Sequence, residues 1–137
     1  LLIDALVAWY RGDAQATVQL YDEVRELADV RRPALIGAPG QEALALIEVG
    51  RAREALPMAE NMERFARTGN RSDPGQWHSA LYIRGRAHEA LGETDKAVEA
   101  YEELLAMIGD SAHEISFWAD APDRLAALQE GAAETSG

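Results

Sequence analysis

Apolar side chains recur along this chain at three- and four-residue intervals, the spacing of one helix face. The opening stretch Leu1-Leu2-Ile3-Asp4-Ala5-Leu6-Val7 is already in that phase and predicts a first helix ending near Arg11. A second helix is expected from about Ala14 to Val30, with Val18, Tyr21, Val24, Leu27 and Ala28 on its apolar side. A third covers part of Pro33 to Val49, where Gly37, Pro39 and Gly40 oppose helix in the first half. A fourth runs from about Arg51 to Arg67, with Ala55, Met58, Ala59, Met62, Phe65 and Ala66 aligned. Thr68 to Gly75 reads as a loop, Gln76 to Leu91 as a fifth helix and Asp95 to Ile108 as a sixth. After Gly109-Asp110 comes a further turn of helix. Asp120 then caps a last helix, with Pro122 in its first turn, reaching about Gln129. Residues 131–137 carry no large anchoring side chain and are expected to form a flexible tail. No segment competes as a strand.

The pattern repeats. Gly12, Gly50 and Gly92 recur 38 and 42 residues apart (50 − 12 and 92 − 50), each followed by four mixed residues and a small one, Thr17, Ala55 and Ala97. Nine residues after each glycine stand Tyr21, Ala59 and Tyr101, then Val24, Met62 and Leu104. Seven before stand Ala5, Ala43 and Gly85, and five before stand Val7, Ala45 and Ala87. A glycine ends a helix because it adopts a left-handed backbone cheaply. Small residues let two helix axes approach, and Tyr or Leu wedges between them. One such hairpin cannot bury its apolar face alone, so neighbours must stack.

These residues resemble tetratricopeptide repeats, most clearly over His78 to Gly109, where Leu81, Gly85, Ala87, Leu91, Gly92, Ala97, Tyr101 and Leu104 fit the family spacing. Phe117-Trp118-Ala119-Asp120-Ala121, with Leu125 and Leu128, resembles the closing helix after the last such repeat in bacterial regulatory proteins. The spacings exceed the ~34 residues usual for the family. The resemblance implies an all-α fold: a right-handed superhelical solenoid of three hairpins (about 1–31, 33–68 and 76–108) and a C-terminal capping segment (111–130). It also implies a non-catalytic protein–protein interaction module of a larger, cytoplasmic, bacterial-type regulatory protein. Leu1 reads as lying inside a helix, which agrees with a piece of a longer polypeptide.

In a stacked solenoid the first helices of the hairpins line the concave face. Leu2, Leu6, Trp9 and Tyr10 are its expected residues from the first helix. Gly40, Leu44, Ile47 and Glu48 come from the third, and Tyr82, Arg86 and Glu89 from the fifth. A peptide or helix of a partner would suit this groove. Trp9, Tyr10, Tyr82 and Arg86 are residue types that become hot spots. Packing of Trp9 and Tyr10 on a preceding helix is the bland alternative. Some family members grip a peptide carboxylate with Lys and Asn on these helices; the matching places hold Ile3, Gly37, Gln41, Ser79 and Ile83, which argues against such a clamp.

Composition narrows the choice further. The 137 residues have a net charge of −11, which opposes nucleic-acid binding. No apolar run reaches membrane-spanning length, no signal peptide is visible, and cysteine is absent. His78, His88 and His113 lack the spacing of a metal site, and no cofactor is expected. Gly37-Ala38-Pro39-Gly40-Gln41 lacks the Lys-Ser/Thr of a phosphate loop, and Ser79, Ser111, Ser116 and Ser136 lack a nucleophile elbow. Capping explains Asp120 and Asp123. The acidic surplus falls mostly on second helices (Asp22, Glu23, Glu26, Asp29, Glu60, Glu63, Glu99, Glu102 and Glu103) and reads as a solvated outer wall, with an acidic patch that steers a basic partner as the sharper alternative. An interaction module is therefore the leading expectation. The alternatives are a ligand-sensing groove around Gly37, Gly40 and Trp9, and a homodimer through open solenoid ends.

Overall fold

A computed structural model describes residues 2–28, 39–68, 74–108 and 120–136. Among them are seven helices and no strand: α1 (Leu2–Tyr10), α2 (Ala14–Ala28), α3 (Pro39–Glu48), α4 (Ala52–Thr68), α5 (Pro74–Ala90), α6 (Thr94–Ile108) and α7 (Ala121–Ser136). Three expectations shift at their edges. Helix α4 takes in Thr68, and α5 starts at Pro74 rather than Gln76, because proline is preset for a first helical position and has no N–H to leave unpaired. Helix α7 runs past Gln129 through Gly131 to Ser136, over an Ala- and Glu-containing stretch that needs no large side chain to stay helical. The start of the third helix before Pro39, the loop at 69–73 and the extra turn at 111–119 lie outside the described residues.

The repeated glycines close their helices in one way. Gly12, Gly50 and Gly92 have φ of 79°, 86° and 75°, the left-handed region. At each, the glycine N–H donates three residues back, to Trp9, Ile47 and Glu89 (2.9–3.2 Å). The next N–H donates five back, Asp13 to Ala8, Arg51 to Leu46 and Glu93 to His88 (2.8–2.9 Å). This pair of bonds is the Schellman cap, which satisfies carbonyls the helix end leaves open. Asp13 then starts α2: its Oδ1 accepts the Ala16 N–H at 2.9 Å and its carbonyl accepts the Thr17 hydroxyl at 2.8 Å.

Each helix packs on the next in sequence, where both flanks are described, and α3 also packs on α1 and on α5. Small residues sit at the crossings as the repeat predicts: Ala5 and Ala43 are buried, as are Thr17, Ala55 and Ala97. Tyr101 of α6 lies against Gly85 of α5, and Tyr21 of α2 pairs with Ala5 of α1. Ala59, which replaces the tyrosine in the second hairpin, is buried; Met58 and Met62 pack half-buried against the same core. Leu125 and Leu128 of α7 pack on the main core, and α7 lies on α6.

Charges join the helices as well. Arg25 of α2 bonds the buried Glu42 of α3 and Asp22 of its own helix (3.1 Å). Arg51 reaches Glu54 and, at 3.4 Å, Asp22. Arg84 of α5 lies between Glu63 of α4 (2.9 Å) and Glu103 of α6 (2.8 Å). The solvated outer wall is thus only part of the picture. Glu60, Glu99 and Glu102 are exposed, whereas Glu63 is buried and Asp22 and Glu103 are tied to arginines.

Candidate functional site

The expected groove residues do not share one open surface. Leu44 and Ile47 are buried in the core, and Tyr82 is only 2% exposed. Leu6, Trp9, Arg86 and Glu89 are half-buried, with Trp9 packed against the main core. Tyr10 and Glu48 are exposed. Burial removes Leu44, Ile47 and Tyr82 from any surface a partner touches in this conformation.

The tip of Tyr82 meets Asp120, the residue just before α7. The Tyr82 hydroxyl donates to Asp120 Oδ1 at 2.5 Å, and Arg124 Nε donates to Asp120 Oδ2 at 2.7 Å. Arg124 Nη1 also reaches Glu89 Oε2 at 3.0 Å, and the Tyr101 hydroxyl donates to Glu89 Oε1 at 2.9 Å. Arg86 Nη1 donates to the Tyr82 oxygen at 3.1 Å, its guanidinium 5.7 Å from the ring centroid. The Tyr82 and Tyr101 rings meet tilted, 6.4 Å apart. Asp120 is therefore placed before α7 as a cap residue, and its carbonyl accepts the Arg124 N–H at 3.0 Å. Its carboxylate, however, bonds Tyr82 and Arg124. Pro122, with no N–H, offers that carboxylate nothing.

The electrostatics follow from this geometry. Burial works against the Asp120 carboxylate, but the bonds from Tyr82 and Arg124 and the charge of Arg86 outweigh it and hold its pKa below the ordinary value. Burial pushes both Tyr82 and Tyr101 hydroxyls up, and the facing carboxylates Asp120 and Glu89 push them further. Both phenols stay protonated donors. Beside the network lies an open depression of about 380 Å³ lined by Glu89, Asp120, Asp123, Arg124, Ala127 and Leu128.

A second surface lies on α1. Ile3, Val7 and Tyr10 are 76%, 40% and 78% exposed and follow one another at four- and three-residue steps, so they form one stripe. Ala5 and Ala8, on the opposite side, are buried. At the register position of Val7, α3 and α5 carry the buried Ala45 and Ala87, and at that of Ile3, α5 carries the buried Ile83. Helix α2 packs on α3 and α4 packs on α5. Of these three, Tyr10 is among the groove residues expected from the sequence, and Ile3 and Val7 are not. The signal was present in the repeat alignment, where Val7 is the one bulky residue in its column.

His78 is half-buried, and that burial lowers its pKa; His88 Nδ1 lies 3.2 Å from Glu93 Oε1. His113 lies outside the described residues. Among the described residues no three His, Asp or Glu side chains gather as metal ligands, and no helix is long and apolar enough to cross a membrane. Comparison with family models, with curated proteins and with solved structures finds no match.

Proposed function

We propose that this chain is a helical-repeat docking module of the tetratricopeptide type, which binds an amphipathic helix of another protein on α1. Three hairpins closed by the same glycine cap, with each first helix placed next to the following one, support a solenoid reading. The observation that carries the docking role is the stripe Ile3, Val7 and Tyr10. Two of these three are more than three-quarters exposed, against the general tendency to bury large apolar side chains. Inside the chain α2 packs on α3 and α4 on α5, and the counterparts of Val7 on those two helices, Ala45 and Ala87, are buried. A partner helix with apolar residues at three- and four-residue spacing satisfies α1 in the same manner. This moves the docking site from the inner residues Leu44, Ile47 and Tyr82 to the outer face of the first helix.

Fluorescence anisotropy against a panel of amphipathic helical peptides tests the reading. The parent chain binds at least one peptide, an Ile3→Glu/Tyr10→Glu variant of unchanged helicity loses at least tenfold, and Arg86→Ala does not. Equal binding by parent and double variant refutes it. Sedimentation velocity separates the homodimer alternative: a parent dimer that Ile3→Glu dissociates makes the occupant a second copy.

A further inference from the structure

The joint between α5 and α7 differs in kind from the joint between α3 and α5. Ten, six and three residues before the capping glycine, α3 carries Gly40, Leu44 and Ile47, and the two large side chains are buried. At the same register α5 carries Tyr82, Arg86 and Glu89. Tyr82 bonds Asp120, the residue just ahead of α7, and Glu89 pairs with Arg124 inside α7, while Arg86 donates to the Tyr82 oxygen within α5 itself.

From this we propose that α7 is a detachable strap, and that the surface beneath it is a second docking site. That site fits a basic partner helix bearing a carboxylate and a guanidinium one turn apart. Water replaces polar contacts far more readily than it replaces buried apolar ones. Besides its packing on α6, the apolar hold of α7 is the buried Ala121 and the half-buried Leu125 and Leu128, whereas Leu81 and Ile83 of α5 are wholly buried. The surface under α7 is specific in chemistry. The Tyr82 hydroxyl, itself bonded by Arg86, receives a carboxylate, and Glu89, itself bonded by Tyr101, receives a guanidinium.

Charge decides the partner. Helix α7 carries Asp123, Glu130 and Glu134 against the single cation Arg124, on a chain of net charge −11. The strap is thus an acidic helix on an acidic body. A competing helix with the same Asp-to-Arg spacing but flanking lysines makes the same bonds without that repulsion and is drawn in by the field of the chain. This site is separate from the α1 stripe and does not depend on what docks there.

Amide hydrogen exchange on the full chain tests the strap. Amides of α7 are expected to exchange at least tenfold faster than those of α5 and α6. High salt or Arg124→Gln widens that gap and leaves α3 and α4 unchanged. If α7 exchanges only with global unfolding, in parent and variant alike, the strap is refuted. A lysine-flanked helical peptide with Asp and Arg four residues apart tests the site. It binds the full chain at least tenfold tighter than its Asn/Gln analogue, and Tyr82→Phe or Glu89→Gln removes the difference. Equal binding of both peptides to a chain whose α7 opens refutes the docking site and leaves the strap standing.

Discussion

The ring of Tyr101 occupies the space that a side chain at Gly85 would need. A Cβ built on Gly85 falls 2.5 Å from Cε1, 2.8 Å from Cδ1 and 2.9 Å from Cζ of that ring. The ring has no easy retreat, because its hydroxyl is bonded to Glu89 and it is fully buried. Gly85→Ala is therefore expected to destabilise the chain although alanine favours helix. Overpacking costs about 1–3 kcal/mol against the ~1 kcal/mol that alanine gains in a helix. Urea denaturation checks the net loss. A Gly85→Ala/Tyr101→Leu chain should show strong coupling between the two sites, and additive losses would show that the ring is not the obstacle.

The capping glycines make the opposite case. Around Gly12, Gly50 and Gly92 nothing lies within 4 Å of a built Cβ, so space is free and only the backbone objects. Alanine at Gly50 or Gly92 is expected to cost about 1–2 kcal/mol, the strain of a left-handed L-residue, and asparagine less. Thermal unfolding of the Ala and Asn variants distinguishes this from a packing effect, which would penalise the larger asparagine more.

Glu42 is buried and bonded to Arg25 from the neighbouring helix. Removing the guanidinium alone with Arg25→Ala leaves a buried carboxylate unsatisfied and is expected to cost about 1–3 kcal/mol. Changing both partners to leucine should recover most of it, since apolar pairs often replace buried ion pairs without loss. Guanidinium denaturation of the two chains gives the comparison.

Acid should weaken the fold in two stages. His78 has a folded pKa below its unfolded value of 6.5 because burial disfavours the cation. As pH falls through 6.5 the unfolded chain takes up that proton first, so stability declines there and levels off below the folded value. Asp120 has a folded pKa below 3.8. Its stabilisation is complete above 3.8 and is lost as pH drops through the folded value. Glu54, held low by the bond from Arg51, adds to the second stage. Melting temperature followed from neutral to acid pH should show both, with His78→Gln removing the first and Asp120→Asn reducing the second.

The glycine caps and the small crossing residues were legible because each is a local demand. A left-handed turn needs Gly12, Gly50 and Gly92, and a close crossing needs Ala5, Ala43 and Gly85, wherever the rest of the chain goes. The role of Asp120 was not legible. Its place before an apolar run with Pro122 fits a cap, and the tyrosine it serves lies 38 residues earlier, beyond the reach of any spacing rule. Helical period tells which side of α3 and α5 is apolar, but not which neighbour covers it. For that reason Leu44, Ile47 and Tyr82 read as open wall and are closed in the structure.

The contact between Ala5 and Tyr21 forms its own small cluster, apart from the main core that runs from Val18 to Ala121. Mechanical load applied at the N-terminus therefore meets this smaller cluster before the main one, which Trp9, Ala14 and Val18 of the same two helices join. In an optical trap the leading pair of helices should peel away in a short early rip, and the remaining body should yield later in a larger one.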